Sequence, residues 1–341
     1  MIVRKTIFKR TAIIIIAVGA LALVTIIGLM TPSSGKATVH VSAGDGTIII
    51  SNKLNDDGAI RSTHLFRLAA VITGTNSHWK VGTYNIKNGS SYFSICHELT
   101  KPSAAAIRVT IPEGKQVRQI ATILSDAGVC SRKEFLNACK THSYDYEFLK
   151  GIPTSKRIGG LEGYLFPDTY FFDKNEDVDT VIRTMLDRFQ EQVYTKEIRK
   201  AVKKSDLNFD QTIILASMVE SEAATKKDRR LVAGIFLNRL SHPDQFPKLQ
   251  SCVTVEYAKG IKKDILSDKD IKYDSPYNTY LHAGLPYGPI CCPSLESIEA
   301  VIHPTKSSYY YFQSDSSGKL HYARTFKEHA KAQKKIQKNW S

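Results

Sequence analysis

The hydrophobic pattern divides the chain before any single residue is considered. From Ala12 to Met30, nineteen consecutive positions carry no charge, and only Gly19, Thr25 and Gly28 interrupt the run. As a helix, such a run is about 28 Å long, close to the hydrocarbon thickness of a bilayer. Arg4, Lys5, Lys9 and Arg10 precede it, and the uncharged stretch Thr31 to Gly35 follows. The positive-inside bias then predicts a cytoplasmic tail over 1–11 and an uncleaved transmembrane helix over 12–30. The rest is placed in the periplasm of a single-pass inner-membrane protein.

After this run, strand and helix periods alternate. Ala37 to Val41 alternates as a strand does, Gly44-Asp45-Gly46 turns the chain, and Thr47 to Leu54 and Ser62 to Val71 have helical spacing. A strand is expected over His78 to Ile86 and a short helix over Tyr92 to Leu99. A further strand covers Ala105 to Ile111, and Pro112-Glu113-Gly114 turns it. Val117, Ile120, Ala121 and Leu124 then share one helix face. Gly128 stops that helix and Ser131 caps the next. A strand followed by two short helices thus occurs twice, which predicts a small α+β module over 37–155.

The character changes near Gly159. Leu161 to Phe172 is aromatic, with a turn at Pro167-Asp168. Val181, Met185, Phe189 and Val193 recur at fourfold spacing, predicting one long amphipathic helix over Asp177 to Lys203. Helices follow over Phe209 to Ala224, Lys226 to Leu240 and Ser294 to Ile302. A Pro/Gly-rich stretch runs from Ser275 to Pro293, and a strand is expected over Tyr309 to Gln313. The fold class expected is α+β: the spanning helix, the small module, then a mainly helical domain with a few strands over 156–341.

Composition narrows the function. With 42% hydrophobic and 23% charged residues, the chain has the balance of a folded protein. Its net charge of +14 favours an anionic partner, but the charge is spread along the chain and no nucleic-acid motif accompanies it. The six cysteines show no CxxC and no zinc spacing; they read mostly as small buried apolar residues, with Cys252 to Cys291 or Cys292 the one disulfide considered. There is no HExxH, and the ten histidines are dispersed, so no metal and no cofactor is expected.

The informative segment is Ile213 to Ala223, an apolar helix that turns acidic at its C-terminal end. Glu220 shares a face with Ala216, Ser217 and Ala223. A carboxyl desolvated there, at the negative end of its own helix, would hold a proton near neutral pH, which a general acid for glycosidic cleavage requires. Spacing alone leaves open that Glu220 and Glu222 are solvated residues at a helix end. They lie two apart and do not face each other.

Six blocks in order carry a resemblance: LEGYLFPDTY at 161–170, LASMVESEA at 215–223, VAGIFLNRL at 232–240, LQSCVTVEYA at 249–258, SPYNTYLHAGLPYGPI at 275–290 and YYYF at 309–312. With the IPEG turn at 111–114, they make the chain similar to the endolytic murein transglycosylase (MltG, YceG-like) family. The resemblance implies a lytic cut of peptidoglycan glycan strands, with Glu220 as the single catalytic acid and base. It further implies a LysM-like glycan-binding role for the module before 155, and peptidoglycan synthases as partners. As residues lining the cleft it suggests Glu222, Gln250, Asn278, Thr279 and Tyr280 for polar contacts, Tyr257 and Tyr164 for stacking on sugars, and Glu162 as a support. The alternative is a non-catalytic, membrane-anchored glycan-binding scaffold on the same fold.

Overall fold

The computed structural model describes residues 19–20, 22–23, 26–27, 37–42, 45–103, 106–263 and 265–337. Among the described residues no helix is long and apolar enough to cross a membrane. This overturns the transmembrane helix expected over 12–30. With it go the single-pass inner-membrane location and the fold class that included that helix. Of that run, residues 19–20, 22–23 and 26–27 are described. The remainder of 12–30 and the tail 1–11 lie outside the described residues.

The chain forms two compact units. One comprises the described residues up to Arg108 together with Phe171–Lys174; the other comprises Val109–Tyr170 and the residues from Asn175 onward. The division therefore falls after Arg108, not near 155, and residues 109–155 belong to the second unit.

In the first unit, β1 (Ala37–Val41) leads into α1 (Thr47–Asp56) and α2 (Thr63–Ile72), then β2 (Gly82–Ile86) and α3 (Tyr92–Glu98). β1 and β2 pair antiparallel, with Val39 opposite Tyr84. The alternation visible in the sequence is the alternation of burial: Ala37, Val39 and Val41 face inward. Ile50, Leu54, Phe66, Tyr92 and Ile95 complete one core. Ser62 caps α2, and the buried Tyr92 hydroxyl accepts from the Arg61 and Ser62 amides at 2.9 and 3.1 Å. The strand expected from His78 begins only at Gly82. β3 (Ile107–Thr110) and β4 (Thr169–Phe172) form a second two-stranded sheet.

The second unit is mainly helical. α4 (Val117–Asp126) and α5 (Arg132–Thr141) come first, followed by α6 (Val178–Gln192) and α7 (Lys196–Val202). The single long helix expected over 177–203 is thus two helices. Thr195 caps the second by accepting from the Ile198 amide at 3.2 Å, a side-chain bond that competes with helix continuation. The fourfold spacing hides the break because Val193, just beyond α6, is buried all the same.

α8 (Phe209–Glu222) starts at Asn208, whose side chain and that of Gln211 form a capping box. Every residue from Thr212 to Val219 is buried. A helix that is apolar all round must lie inside the protein; α8 packs against α7, α9 (Lys226–Leu240), α10 (Cys252–Lys259) and α12 (Leu295–Ile302). A four-residue helix α11 (Asp268–Ile271) precedes the Pro/Gly-rich stretch. The chain then ends in an antiparallel hairpin, β5 (Tyr311–Ser314) with β6 (Leu320–Ala323), and α13 (Phe326–Gln337). Gly234 on α9 permits a close approach: a Cβ there would lie 2.3 Å from the Thr305 carbonyl oxygen.

Candidate active site

The buried run of α8 delivers two acids at its C-terminal end, and each meets the start of a different helix. Ser294 is the N-cap of α12, and Glu220 occupies that end of the helix. Its Oε2 accepts from the Ser294 amide at 3.0 Å, the Ser294 hydroxyl at 2.5 Å and the Ser297 hydroxyl at 2.7 Å. Its Oε1 accepts from Arg229 Nη2 at 3.1 Å. Arg229 is itself fixed by the Ala223 carbonyl at 3.2 Å and by Glu296 at 2.8 Å. The Glu220 side chain is only 6% exposed. Four donors and a helix N-terminus therefore converge on one carboxylate, which suits them to hold it in a single orientation. The surroundings are polar, not the small apolar neighbours that the helix face suggested.

Glu222 addresses the other helix. Ser251 is the N-cap of α10, and its hydroxyl donates to Glu222 Oε1 at 2.7 Å. Burial pushes the Glu222 carboxyl up, and the Ser251 hydrogen bond acts against that rise. Around Ser251 several of the expected cleft residues gather. The Gln250 amide donates to the Thr279 carbonyl at 3.0 Å, and the Ser251 amide donates to Thr279 Oγ1 at 3.0 Å. The Tyr280 hydroxyl lies 3.1 Å from Cys252 Sγ. Gln250 is exposed and sits in the left-handed region at φ 52°, so the backbone turns at that point to present it.

The remaining expected residues are placed elsewhere. Glu162 and Tyr257 form a pair, with the Tyr257 hydroxyl donating to Glu162 Oε2 at 3.0 Å. The Val117 amide, in the first turn of α4, donates to Glu162 Oε1 at 2.9 Å. Burial pushes the Glu162 carboxyl up to about 7, against the pull of those two donors. Tyr164 is fully buried beneath Phe148 and Phe189, and its hydroxyl donates to Asp210 at 2.6 Å. It has no face open to a sugar. Asn278 is also fully buried; its amide nitrogen donates to the Ile271 and Tyr273 carbonyls, and its oxygen accepts from the Tyr280 amide. All of its groups serve the loop that carries Thr279 and Tyr280.

The turn at Glu113-Gly114 closes over Glu220. Gly114 has φ +72°, and a Cβ there would stand 3.6 Å from Glu220 Cγ. The Gly114 amide donates to the Cys292 carbonyl at 2.9 Å, and the Cys292 amide returns a bond to the Lys115 carbonyl. Burial raises the Glu113 carboxyl, and so do the charges of Glu220 and Glu296; Arg229 opposes them. Glu113 is thus a second acid in the electrostatic neighbourhood of Glu220. Sequence reasoning assigned no role to Arg229, Ser294, Ser297, Glu296 or Glu113. The one available signal was Ser294 before an apolar run, a capping pattern that reveals a helix start but not what shares it.

All six cysteines are free thiols. The disulfide considered between Cys252 and Cys291 or Cys292 is absent. Cys291 and Cys292 are buried, and Cys291 donates to the Ser217 carbonyl at 3.3 Å; Cys252 is exposed beside Tyr280. Among the described residues no three His, Cys, Asp or Glu side chains converge as a metal site.

Comparison with known proteins agrees with this arrangement. The chain is 33% identical over 312 residues to an endolytic murein transglycosylase of Bacillus subtilis, covering 88% of this chain and 85% of that protein. It is 30% identical over 325 residues to an endolytic murein transglycosylase of Streptococcus pneumoniae, covering 87% of this chain and 58% of the longer relative. A crystal structure of a yceG-like protein from Listeria monocytogenes superposes with a TM-score of 0.60 at 28% identity, over 88% of this chain and all of that one. The model of the YceG-like family matches residues 39–335, nearly the whole described chain, and the chain belongs to that family.

Proposed function

We propose that this protein is a lytic murein transglycosylase that cuts inside nascent peptidoglycan strands and so limits their length. The bond broken is the β-1,4 bond from N-acetylmuramic acid to N-acetylglucosamine. Glu220 gives its proton to the glycosidic oxygen as that bond breaks. The same carboxylate takes the proton of the C6 hydroxyl as that oxygen closes on C1, leaving a 1,6-anhydro end. The nucleophile belongs to the sugar itself, so its effective concentration is high and no water needs activating.

The observation that carries the reading is the setting of Glu220: a nearly buried carboxylate whose two oxygens are oriented by Ser294, Ser297 and Arg229. One acid that must act twice at fixed atoms gains from such a frame. Glu222, Gln250 and Tyr280 gather around Ser251 and serve as contacts to the glycan, while the buried Thr279 holds the Gln250–Ser251 backbone and touches no sugar. The Glu162–Tyr257 pair supports the α4 turn.

The test is mass spectrometry of peptidoglycan digested by the protein and by Glu220→Gln. Internal fragments ending in 1,6-anhydromuramic acid, at least about 10³-fold fewer with the variant, support the reading. Reducing ends in their place would make the protein a hydrolase. A folded protein that binds glycan and cuts nothing would be the scaffold considered as the alternative.

A further inference from the structure

The second unit carries a basic groove that the reaction above does not use. It has a volume of about 370 Å³ and is lined by Lys115, Arg118, Gln119, Thr122, Ile123 and Arg132. Three cations rim it and no acid lines it. Among the described residues none of these three cations makes an ion pair with a carboxylate.

One of the cations is held by a side-chain hydrogen bond. Arg132 Nε donates to Thr122 Oγ1 at 3.2 Å, and that hydroxyl donates to the Arg118 carbonyl at 3.1 Å. The Arg118 guanidinium lies over the end of α10, where a Cβ on Gly260 would stand 2.5 Å from its Nη1. The charge of Arg118 also acts on the buried Glu162 carboxylate, and the planar fork of a guanidinium matches a carboxylate in geometry.

Position supplies the second argument. Lys115 follows Gly114, the residue that packs on Glu220. Consecutive Cα atoms are about 3.8 Å apart, so the backbone of Lys115, which lines the groove, starts beside the residue packed on Glu220. A ligand that reaches both must branch from the sugar being cut. In murein that sugar bears a peptide on its C3 lactyl ether, two ring carbons from the anomeric centre, and the peptide ends in carboxylates. A phosphate, by contrast, marks a strand end or an occasional branch and does not recur at every cut.

We propose that the groove between α4 and α5 binds the carboxylates of the stem peptide on the muramic acid at the scissile bond. The inference rests on the murein reading of the Glu220 site and names what that site recognises beyond the glycan backbone.

The test uses the full chain as Glu220→Gln, which separates binding from cleavage. Calorimetry compares a disaccharide–tripeptide with free carboxylates, the same compound as carboxamides, and inorganic pyrophosphate. The free acid is expected to bind about tenfold more tightly than the carboxamide. Arg118→Gln with Arg132→Gln abolishes that difference, and Lys115→Gln alone reduces it about threefold, guarding against a misfolded double variant. Equal binding of acid and carboxamide, or no effect of the arginine variants, overturns the proposal. Tighter pyrophosphate binding that displaces the peptide overturns it as well and makes the groove a phosphate site. With wild-type Glu220, kcat/KM for peptide-bearing over denuded strands is read separately, and the arginine variants bring that ratio toward one. Failure to release any anhydro end would sink the enzymatic reading, while the calorimetry would still decide what the groove holds.

Discussion

Glu162 and Glu220 are both acids withdrawn from solvent, yet their partners differ in kind. Glu220 receives a guanidinium, two hydroxyls and an amide. Glu162 receives one amide, one phenol and a long contact from the Cys292 thiol, and burial raises its carboxyl to about 7. In an unfolded chain Glu162 would lose its proton near the ordinary value of 4.5. Between about pH 4.5 and 7 the unfolded state therefore binds fewer protons than the folded one, and stability falls as pH rises through that window. The loss contributed by Glu162 is on the order of 3 kcal/mol. Glu162→Gln removes that slope, which melting temperatures at pH 4.5, 6 and 7.5 would show; an unchanged slope would place the titration elsewhere. Ser294 combines two tasks, capping α12 and donating to Glu220. Ser294→Ala is expected to cost about 1 kcal/mol of stability and to lower kcat about tenfold with KM nearly constant. Ser297→Ala keeps the cap, so it lowers kcat without the stability loss, and steady-state kinetics beside thermal melts separates the two.

At the scale of elements, the site is a junction of helix ends. α8 stops at Glu222, and its last turn presents Glu220 to the start of α12 and Glu222 to the start of α10. The acidic end of a buried helix was legible in the pattern, because eight consecutive buried positions leave the final polar ones conspicuous. The partners were not legible. Arg229 stands in the run Lys226-Lys227-Asp228-Arg229-Arg230, which composition reads as a solvated basic face. Ser294 lies 74 residues from Glu220. The break between α6 and α7 was equally hidden, since Val193 kept the apolar period across it. Gly260 is an element-level case that can be tested. It ends α10 at φ +69° and leaves room for Arg118. Gly260→Ala is expected to cost about 1 kcal/mol from the left-handed backbone alone, seen as a lower denaturation midpoint with unchanged m-value. No loss would mean that the chain end of α10 relaxes freely.

At the scale of the molecule, the sequence places a domain boundary near 155, whereas the compact unit that contains Glu220 begins at Val109. The reason lies in what residues 109–155 supply. α5 packs on α6, so its removal uncovers apolar surface on both. The Val117 amide donates to buried Glu162, and without it that carboxyl keeps only the Tyr257 hydroxyl and a long contact from the Cys292 thiol. The Gly114 amide and the Lys115 carbonyl hold the loop at Cys292, two residues before Ser294, which in turn orients Glu220. Repetition of strand and two helices misled the reading, because it joined 105–141 to the earlier module by likeness of pattern when the contacts join it to the later helices. The two divisions make opposite predictions. A chain of residues 109–341 should unfold cooperatively and retain cleavage of isolated glycan strands. A chain of residues 156–341 should lack a cooperative transition and release no anhydro ends. Circular dichroism melts and product analysis of the two fragments compare them directly. A stable, active 156–341 fragment would mean that the α4–α5 segment only decorates the unit, whereas the hydrogen bonds through Gly114, Lys115 and Val117 make it part of the frame on which Glu220 is held.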